Sequence, residues 1–265
     1  MFDTPFFIGR IAGIELQTAY DLLRGSLQDI VKDQEELENN AGIHVQSPAS
    51  LTHYVERLLH AYDRCTHIAE WDRTGPVYSI TGRGQELIAT RCPNTPKINA
   101  LELEPYYAED SGWMPRLKGK HILVVHPFAE TFRKQSTKFS LLFPHRPWFT
   151  DCTFTFVKPP MTMAGNHENK DWSEHLDGFL SSLPLDGEVA LVAAGGYGML
   201  ISEYLFSKGK SVMYIGGALQ LFFGVIGKRW FTNPTIMKLV TDDWVRPAKE
   251  EQPPNHKKVE RGCYW

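Results

Sequence analysis

The sequence predicts an α/β protein built on a mostly parallel sheet, and three stretches carry that prediction. Residues 188–193, EVALVA, form a short apolar run with no internal breaker, as a strand buried on both faces requires. Gly195, Gly196 and Gly198 interrupt it, apolar residues then recur at helical spacing from Met199 to Lys208, and Gly209 stands where a helix would stop. Residues 211–215, SVMYI, make a second buried strand closed by Gly216 and Gly217, and residues 122–125, ILVV, make a third ended by His126-Pro127. The succession of strand, turn, helix and strand between 121 and 215 defines a Rossmann-like sheet with flanking helices, preceded by a more helical N-terminal part.

Taken in order, residues 6–11 read as a first strand. Beyond Gly13, Glu15 opens a helical pattern through Leu16, Ala19, Leu22, Leu23 and Leu27, with Arg10 just before the turn. Residues 28–40, polar and acidic, read as the solvated end of that helix. Ser47-Pro48 starts another helix, running to about 64, with Leu51, Tyr54, Val55, Leu58, Leu59 and Tyr62 on one side. His53, His60 and His67 fall seven apart and share a face if that helix continues; a histidine row without acids or cysteines reads as surface rather than metal site. Thr81-Gly82-Arg83-Gly84 precedes a short helix, and the prolines of 92–97 make a turn. Residues 101–113 set Pro105, Tyr106 and Tyr107 beside Glu102, Glu104, Glu109 and Asp110, which suits either sugar stacking or a loop packed on the domain. A helix is expected over 131–139, a strand over 152–157, a turn at 163–169, and a helix opened by Asp171-Trp172.

The totals bound the function. A chain of 265 residues holds one large domain or two smaller regions: 1–115, a strand plus helices contributing to the site, and 116–265, the nucleotide-binding region, or the two form one continuous domain. A net charge of −3 gives no whole-protein reason for nucleic-acid binding, so an anion site has to be local. Cys65, Cys92, Cys152 and Cys263 lack C-x-x-C spacing, which points to a reducing, cytoplasmic setting rather than a zinc or disulfide framework. No apolar run reaches the ~20 residues of a membrane span, and the first ten residues lack the pattern of a signal peptide.

Ligands of open parallel sheets sit at the carboxyl ends of strands, where glycines let backbone N–H groups approach an anion. Gly195, Gly196, Gly198, Gly216 and Gly217 therefore become candidate ligands of a phosphate, with tight turns between packed elements as the other reading; the pattern is neither G-x-G-x-x-G nor a Walker motif. Lys228 and Arg229, past the second turn, would neutralise a diphosphate, with Gln220 close by. Glu15 and His126, at strand ends, are candidate proton acceptors. The aromatic tail ending in Tyr264-Trp265 is expected to dock.

The run from Gly195 to Trp230, together with VVHPF, MAGN, W-V-R-P and the closing E-R-G-C-Y-W, resembles proteins of surface-polysaccharide gene sets that look like GT-D-type glycosyltransferases. Members carry an amino-terminal R-F-G-D-G-E stretch, on which Arg10 to Glu15 stands, and an I-x-I-G-like turn, on which residues 213–218 stand. The resemblance implies a hexosyltransferase-like enzyme that moves a sugar from a nucleotide-diphosphate donor to a hydroxyl of a glycan or polysaccharide precursor, in the cytoplasm. It implies donor contacts at Arg10, the glycine turns, Gln220, Lys228 and Arg229, and a divalent metal, Mg²⁺ or Mn²⁺, at Glu15. Glu15 matches the family's glutamate, but Gly13 stands at the aspartate position, and one carboxylate is a poor site for either ion. Two other classes remain: a nucleotide-sugar or glycan binding module without catalysis, favoured by Gly13, and a dinucleotide- or S-adenosylmethionine-dependent enzyme. The last predicts an acid at the end of the second strand, where Tyr214-Ile215-Gly216-Gly217 has none.

Overall fold

The structure is a computed structural model that describes residues 4–108, 112–146 and 148–265, so Glu109 and Asp110 lie outside the described residues. In chain order the elements are β1 (Phe7–Arg10), α1 (Ile14–Arg24), α2 (Leu27–Glu36), α3 (Pro48–Asp63), β2 (His67–Glu70), α4 (Tyr78–Arg91), β3 (Lys97–Asn99) and β4 (His121–Val125). They continue with α5 (Ala129–Gln135), α6 (Phe139–Leu142), β5 (Thr153–Val157), α7 (Trp172–Ser182), β6 (Val189–Val192), α8 (Gly198–Ser207), β7 (Ser211–Tyr214) and α9 (Pro234–Met237).

Seven parallel strands form one sheet in the order β3-β2-β1-β7-β6-β4-β5. The first strand of the chain thus pairs with the last, Phe7 opposite Val212 and Ile8 opposite Met213. Alternate residues of each strand feed two cores. Phe7, Leu123, Val125, Val192 and Tyr214 pack under α1, α3, α4, α7 and α8. Ile8, Ile122, Val124, Leu191 and Met213 pack under α5, α6, the 3₁₀ run Gly216–Phe223 and the C-terminal segment, where Trp265 is buried. Burial on both faces explains why β4, β6 and β7 are continuous apolar runs.

Local chemistry fixes the helices. Ser47 caps α3 by accepting the Ser50 N–H at 3.1 Å, and Asp171 and Glu174 form a reciprocal capping box at α7. The six apolar positions read from the sequence are all buried in α3, together with Ala61. Gly25 in the left-handed region (φ 71°) ends α1, so the acidic stretch after it is not the tail of the same helix but a separate helix, α2, followed by a π-helical turn, Leu37–Ala41. α3 ends at Asp63 and His67 begins β2, which breaks the histidine row. The glycines of 81–84 lie within α4 rather than before it; Gly84 admits α1, since a Cβ there would sit 2.5 Å from Leu16 Cβ. Among the described residues, no helix is long and apolar enough to cross a membrane.

The same close-approach logic explains Gly198, whose added Cβ would lie 2.2 Å from the Tyr214 ring. Gly198→Ala should therefore lower the free energy of unfolding by about 1–3 kcal/mol through overpacking. An unchanged denaturant midpoint would show that Tyr214 moves aside freely.

Candidate functional site

The chain leaves β1 toward one face of the sheet, into α1, and leaves the neighbouring β7 toward the other, into residues 216–223. Diverging connections open a crevice at the carboxyl edge. A cavity of about 680 Å³ occupies it, lined by the exits of β1 (Arg10 to Glu15), β4 (His126 to Phe128), β6 (Ala193, Gly195) and β7 (Tyr214 to Ala218). Trp71, Glu104, Tyr107, Arg229, Trp230, Glu260, Tyr264 and Trp265 complete the lining.

Tyrosines brace the exits from behind. Tyr62 of α3 receives the Ala12 N–H at 3.1 Å and donates to the Arg10 carbonyl at 2.7 Å. Tyr54 donates to the Gly196 carbonyl at 3.0 Å, and Tyr214 to that of Gly195 at 3.2 Å. Burial in such surroundings raises all three phenols above their ordinary pKa, so each remains a neutral donor.

Arg10, only 7% exposed, is held on three sides. One Nη donates to the Ile215 carbonyl at 2.6 Å, the other is paired with Glu104, and the guanidinium lies 4.3 Å from the Trp71 ring centroid. Tyr106 donates to the second Glu104 oxygen at 2.5 Å. The positive charge of Arg10 is thereby neutralised inside the wall, and its Nε–H alone is without a partner.

Glu15 is buried at the first turn of α1. Desolvation is the chief cause that lifts its pKa above the usual carboxylate value of 4.5, and Glu260 and Glu36 add to it, against hydrogen bonds from the Glu15 and Gly13 backbone. His126 behaves in the opposite way. Its Nδ1 accepts the Phe128 N–H at 2.9 Å, which puts the proton on Nε2, and burial against Phe132 pulls its pKa down to about 3. At neutral pH it offers an N–H, so proton acceptance is left to Glu15 alone.

The glycines divide by role. Gly195 (φ 50°) and Gly216 (φ 71°) adopt backbone that favours glycine at the cavity itself. Gly217, also in the wall, makes room for Tyr264, because a Cβ would fall 2.3 Å from that ring. Gly196 and Gly198 face the core, against Ile43 and Tyr214. Lys228 is exposed and outside the lining, whereas Arg229 belongs to it, 3.1 Å from Glu260 Oε2 and 2.8 Å from the Tyr264 hydroxyl. Glu260 (φ 44°), Arg261 (φ 59°) and Gly262 (φ 70°) run consecutively through the left-handed region, a strained turn that directs Glu260 at Arg229. Glu36, Glu260 and Tyr264 carried no motif of their own in the sequence; the last two sit in the E-R-G-C-Y-W block, the only signal that could have found them.

The two arginines of the lining are matched by Glu104 and Glu260, leaving Glu15 and Glu36 in excess. Among the described residues, Glu15 belongs to no group of three His, Cys, Asp or Glu side chains close enough to share a cation, so these side chains do not by themselves form a closed site for a resident Mg²⁺ or Mn²⁺. The one such group, Glu38, His44 and His167, lies elsewhere. Its imidazoles stack 3.6 Å apart at 7°, with lone pairs parallel rather than convergent, and His167 Nδ1 accepts the Asn169 N–H at 3.1 Å, which leaves a proton on the nitrogen facing Glu38. No family model, curated protein or solved structure matches the chain.

Two stability tests follow from the buried titrating groups. A carboxyl whose folded pKa is raised costs stability once pH exceeds its unfolded value, so Glu15→Gln should raise the melting temperature at pH 8, with the gain vanishing below about pH 4.5. A histidine whose folded pKa is depressed from 6.5 to about 3 loses stability as pH falls through 6.5, by about 1.4 kcal/mol at pH 5.5. His126→Asn keeps an oxygen for the Phe128 N–H and removes the titration; unfolding free energies at pH 7.5 and 5.5 should differ less in the variant by that amount.

Proposed function

We propose that the protein is a glycosyltransferase that moves a sugar from a nucleotide-diphosphate donor to a hydroxyl of a glycan or polysaccharide precursor. One observation carries the reading: a desolvated carboxyl, Glu15, shares a cavity at the carboxyl edge of a parallel sheet with two backbone turns, Arg229 and aromatic walls. Desolvation raises the proton affinity of Glu15 above that of an ordinary carboxylate, which suits a general base. In the reaction the acceptor oxygen bonds to the anomeric carbon, its proton goes to Glu15, and the bond from that carbon to the diphosphate oxygen breaks. The departing charge is met by N–H groups at the turns of Gly195 and Gly216 and by Arg229, once the diphosphate displaces Glu260 from it. Trp71, Tyr107 and Trp230 offer faces on which a base or sugar ring stacks. The resemblance to GT-D-type enzymes agrees with this assignment, and four free cysteines go with a cytoplasmic setting. The donor set at Glu15 favours a second reading, a binding module without turnover, because it does not fit the metal that the resemblance implies.

Incubation with radiolabelled UDP-, GDP- and dTDP-sugars separates the two, since transfer or hydrolysis requires an enzyme and binding alone a module. Glu15→Gln should cut kcat by about 10²–10⁴ with donor affinity retained. Arg229→Ala should weaken donor binding at least about tenfold, while Lys228→Ala leaves it unchanged; equal losses at both positions would contradict the assignment. Gly13 faces open space, with nothing within 4 Å of an added Cβ. Gly13→Asp supplies a second carboxylate, so Mn²⁺ should raise the melting temperature of that variant and not of the native chain.

A further inference from the structure

We infer that Glu260 is an internal competitor for the anion position at Arg229: its carboxylate fills that position in the free protein, and a ligand phosphate group enters by exchange, releasing the turn 260–262. The inference rests on the proposed function only in taking Arg229 as the contact for the ligand's charge. Arg229 Nη1 donates to Glu260 Oε2 at 3.1 Å and to the Tyr264 hydroxyl at 2.8 Å, and that hydroxyl donates to Glu260 Oε1 at 3.3 Å. Both donors that a ligand anion would use are thus turned on a carboxylate of the chain itself. All three residues line the cavity, and the side chains of Arg229 and Glu260 are 49% and 43% exposed, so solvent reaches the pair.

The backbone around the pair is suited to such an exchange. Glu260 and Arg261 stand in left-handed backbone at φ 44° and 59°, which residues other than glycine avoid. Strain of this kind persists only where surrounding contacts hold it. Arg229 supplies a contact to the carboxylate from outside the turn, whereas Cys263 Sγ, 3.3 Å from Oε2, and Tyr264 follow it directly in the chain. The residues after the turn are anchored separately. Gln220, buried in the same wall, donates through Nε2 to the Val225 carbonyl at 3.1 Å and the Tyr264 carbonyl at 3.2 Å, and the Arg229 N–H donates to the Cys263 carbonyl at 2.9 Å. Tyr264 therefore stays in place when Glu260 leaves. An ion pair this exposed contributes only about a two- to fivefold preference, while a phosphate brings more charge and more acceptor oxygens to the same donors. The exchange thus favours a multiply charged phosphate over another carboxylate.

Inorganic pyrophosphate is titrated calorimetrically into the native protein, Glu260→Gln, Arg229→Ala and the double variant, and amide hydrogen exchange is followed with and without it. The Glu260 N–H is bonded to Asn40 Oδ1 at 3.1 Å and the Gly262 N–H to the Val259 carbonyl at 2.7 Å, so their exchange reports on the turn. Pyrophosphate should speed exchange across 260–262 in the native protein, the opposite of the protection that simple binding confers. Glu260→Gln should tighten pyrophosphate binding about two- to fivefold, and that gain should vanish when Arg229→Ala is added, since no guanidinium is left to free. A carboxylate that merely repelled the anion from nearby would give the same gain with and without Arg229. No gain in Glu260→Gln, an equal gain in both backgrounds, exchange at 260–262 that slows or stays unchanged, or no binding of pyrophosphate by the native protein overturns the inference. Where Arg229→Ala binds too weakly to titrate, the exchange result decides. Opening of the turn by pyrophosphate without turnover of any nucleotide sugar would sink the transferase reading and leave this one standing. Sugar transfer with unaltered exchange at 260–262 would do the reverse.

Discussion

The site depends on a guanidinium whose charge is used up within the protein. Arg10, at the end of β1, grips the carbonyl that follows β7, a carboxylate from the segment after β3 and the indole that follows β2. Trp71 in turn donates to the Ile11 carbonyl at 3.1 Å. Four strand exits are thus fixed relative to one another by a side chain with little freedom to move. Removing one partner of a buried ion pair costs about 3–5 kcal/mol, because the other charge is stranded in a medium that cannot solvate it. The crevice between β1 and β7 is therefore preformed, and its electrostatics are set by what Arg10 leaves over.

What it leaves over is negative. With Glu104 committed to Arg10 and Glu260 to Arg229, Glu15 stands in a desolvated position with acidic neighbours, which raise its affinity for a proton above that of an ordinary carboxylate. The C-terminal segment completes the arrangement through backbone contacts that only glycines allow. Tyr264 rests where a Gly217 side chain would be, and the carbonyls of Cys263 and Tyr264 come within 2.6 Å of where a Cβ on Gly227 would lie. Glycines that resemble phosphate-binding turns in the sequence serve here, in part, to seat a chain end that carries Glu260 and Tyr264 to the cavity.

That division marks how far the sequence could be read. The β6–α8–β7 unit, the buried strand β4 and the capped helix α3 were legible because their signals are local: apolar runs, glycine stops, a Ser-Pro start. The strands β2 and β3 were not, being four and three residues long and held by pairing to β1 and to each other rather than by pattern. Gly196 and Gly198 look the same in sequence as Gly195, yet they face Ile43 and Tyr214 while Gly195 stands in the cavity wall beside the Ala41 carbonyl, and only tertiary packing separates these positions. His126 was legible as a strand-end histidine but not as a neutral donor, since that follows from the Phe128 N–H that occupies its Nδ1.

Local costs gather at this one crevice. Arg10 Nε and Gln220 Oε1 are buried without partners, Glu15 is desolvated among acids, and Glu260 to Gly262 hold left-handed backbone. Other unpartnered buried atoms, such as Trp148 Nε1, stand outside the cavity, so an orphan atom alone marks nothing. Convergence does: an unmet donor on Arg10, an unmet acceptor on Gln220 and a desolvated carboxyl on Glu15 all belong to residues of one lining.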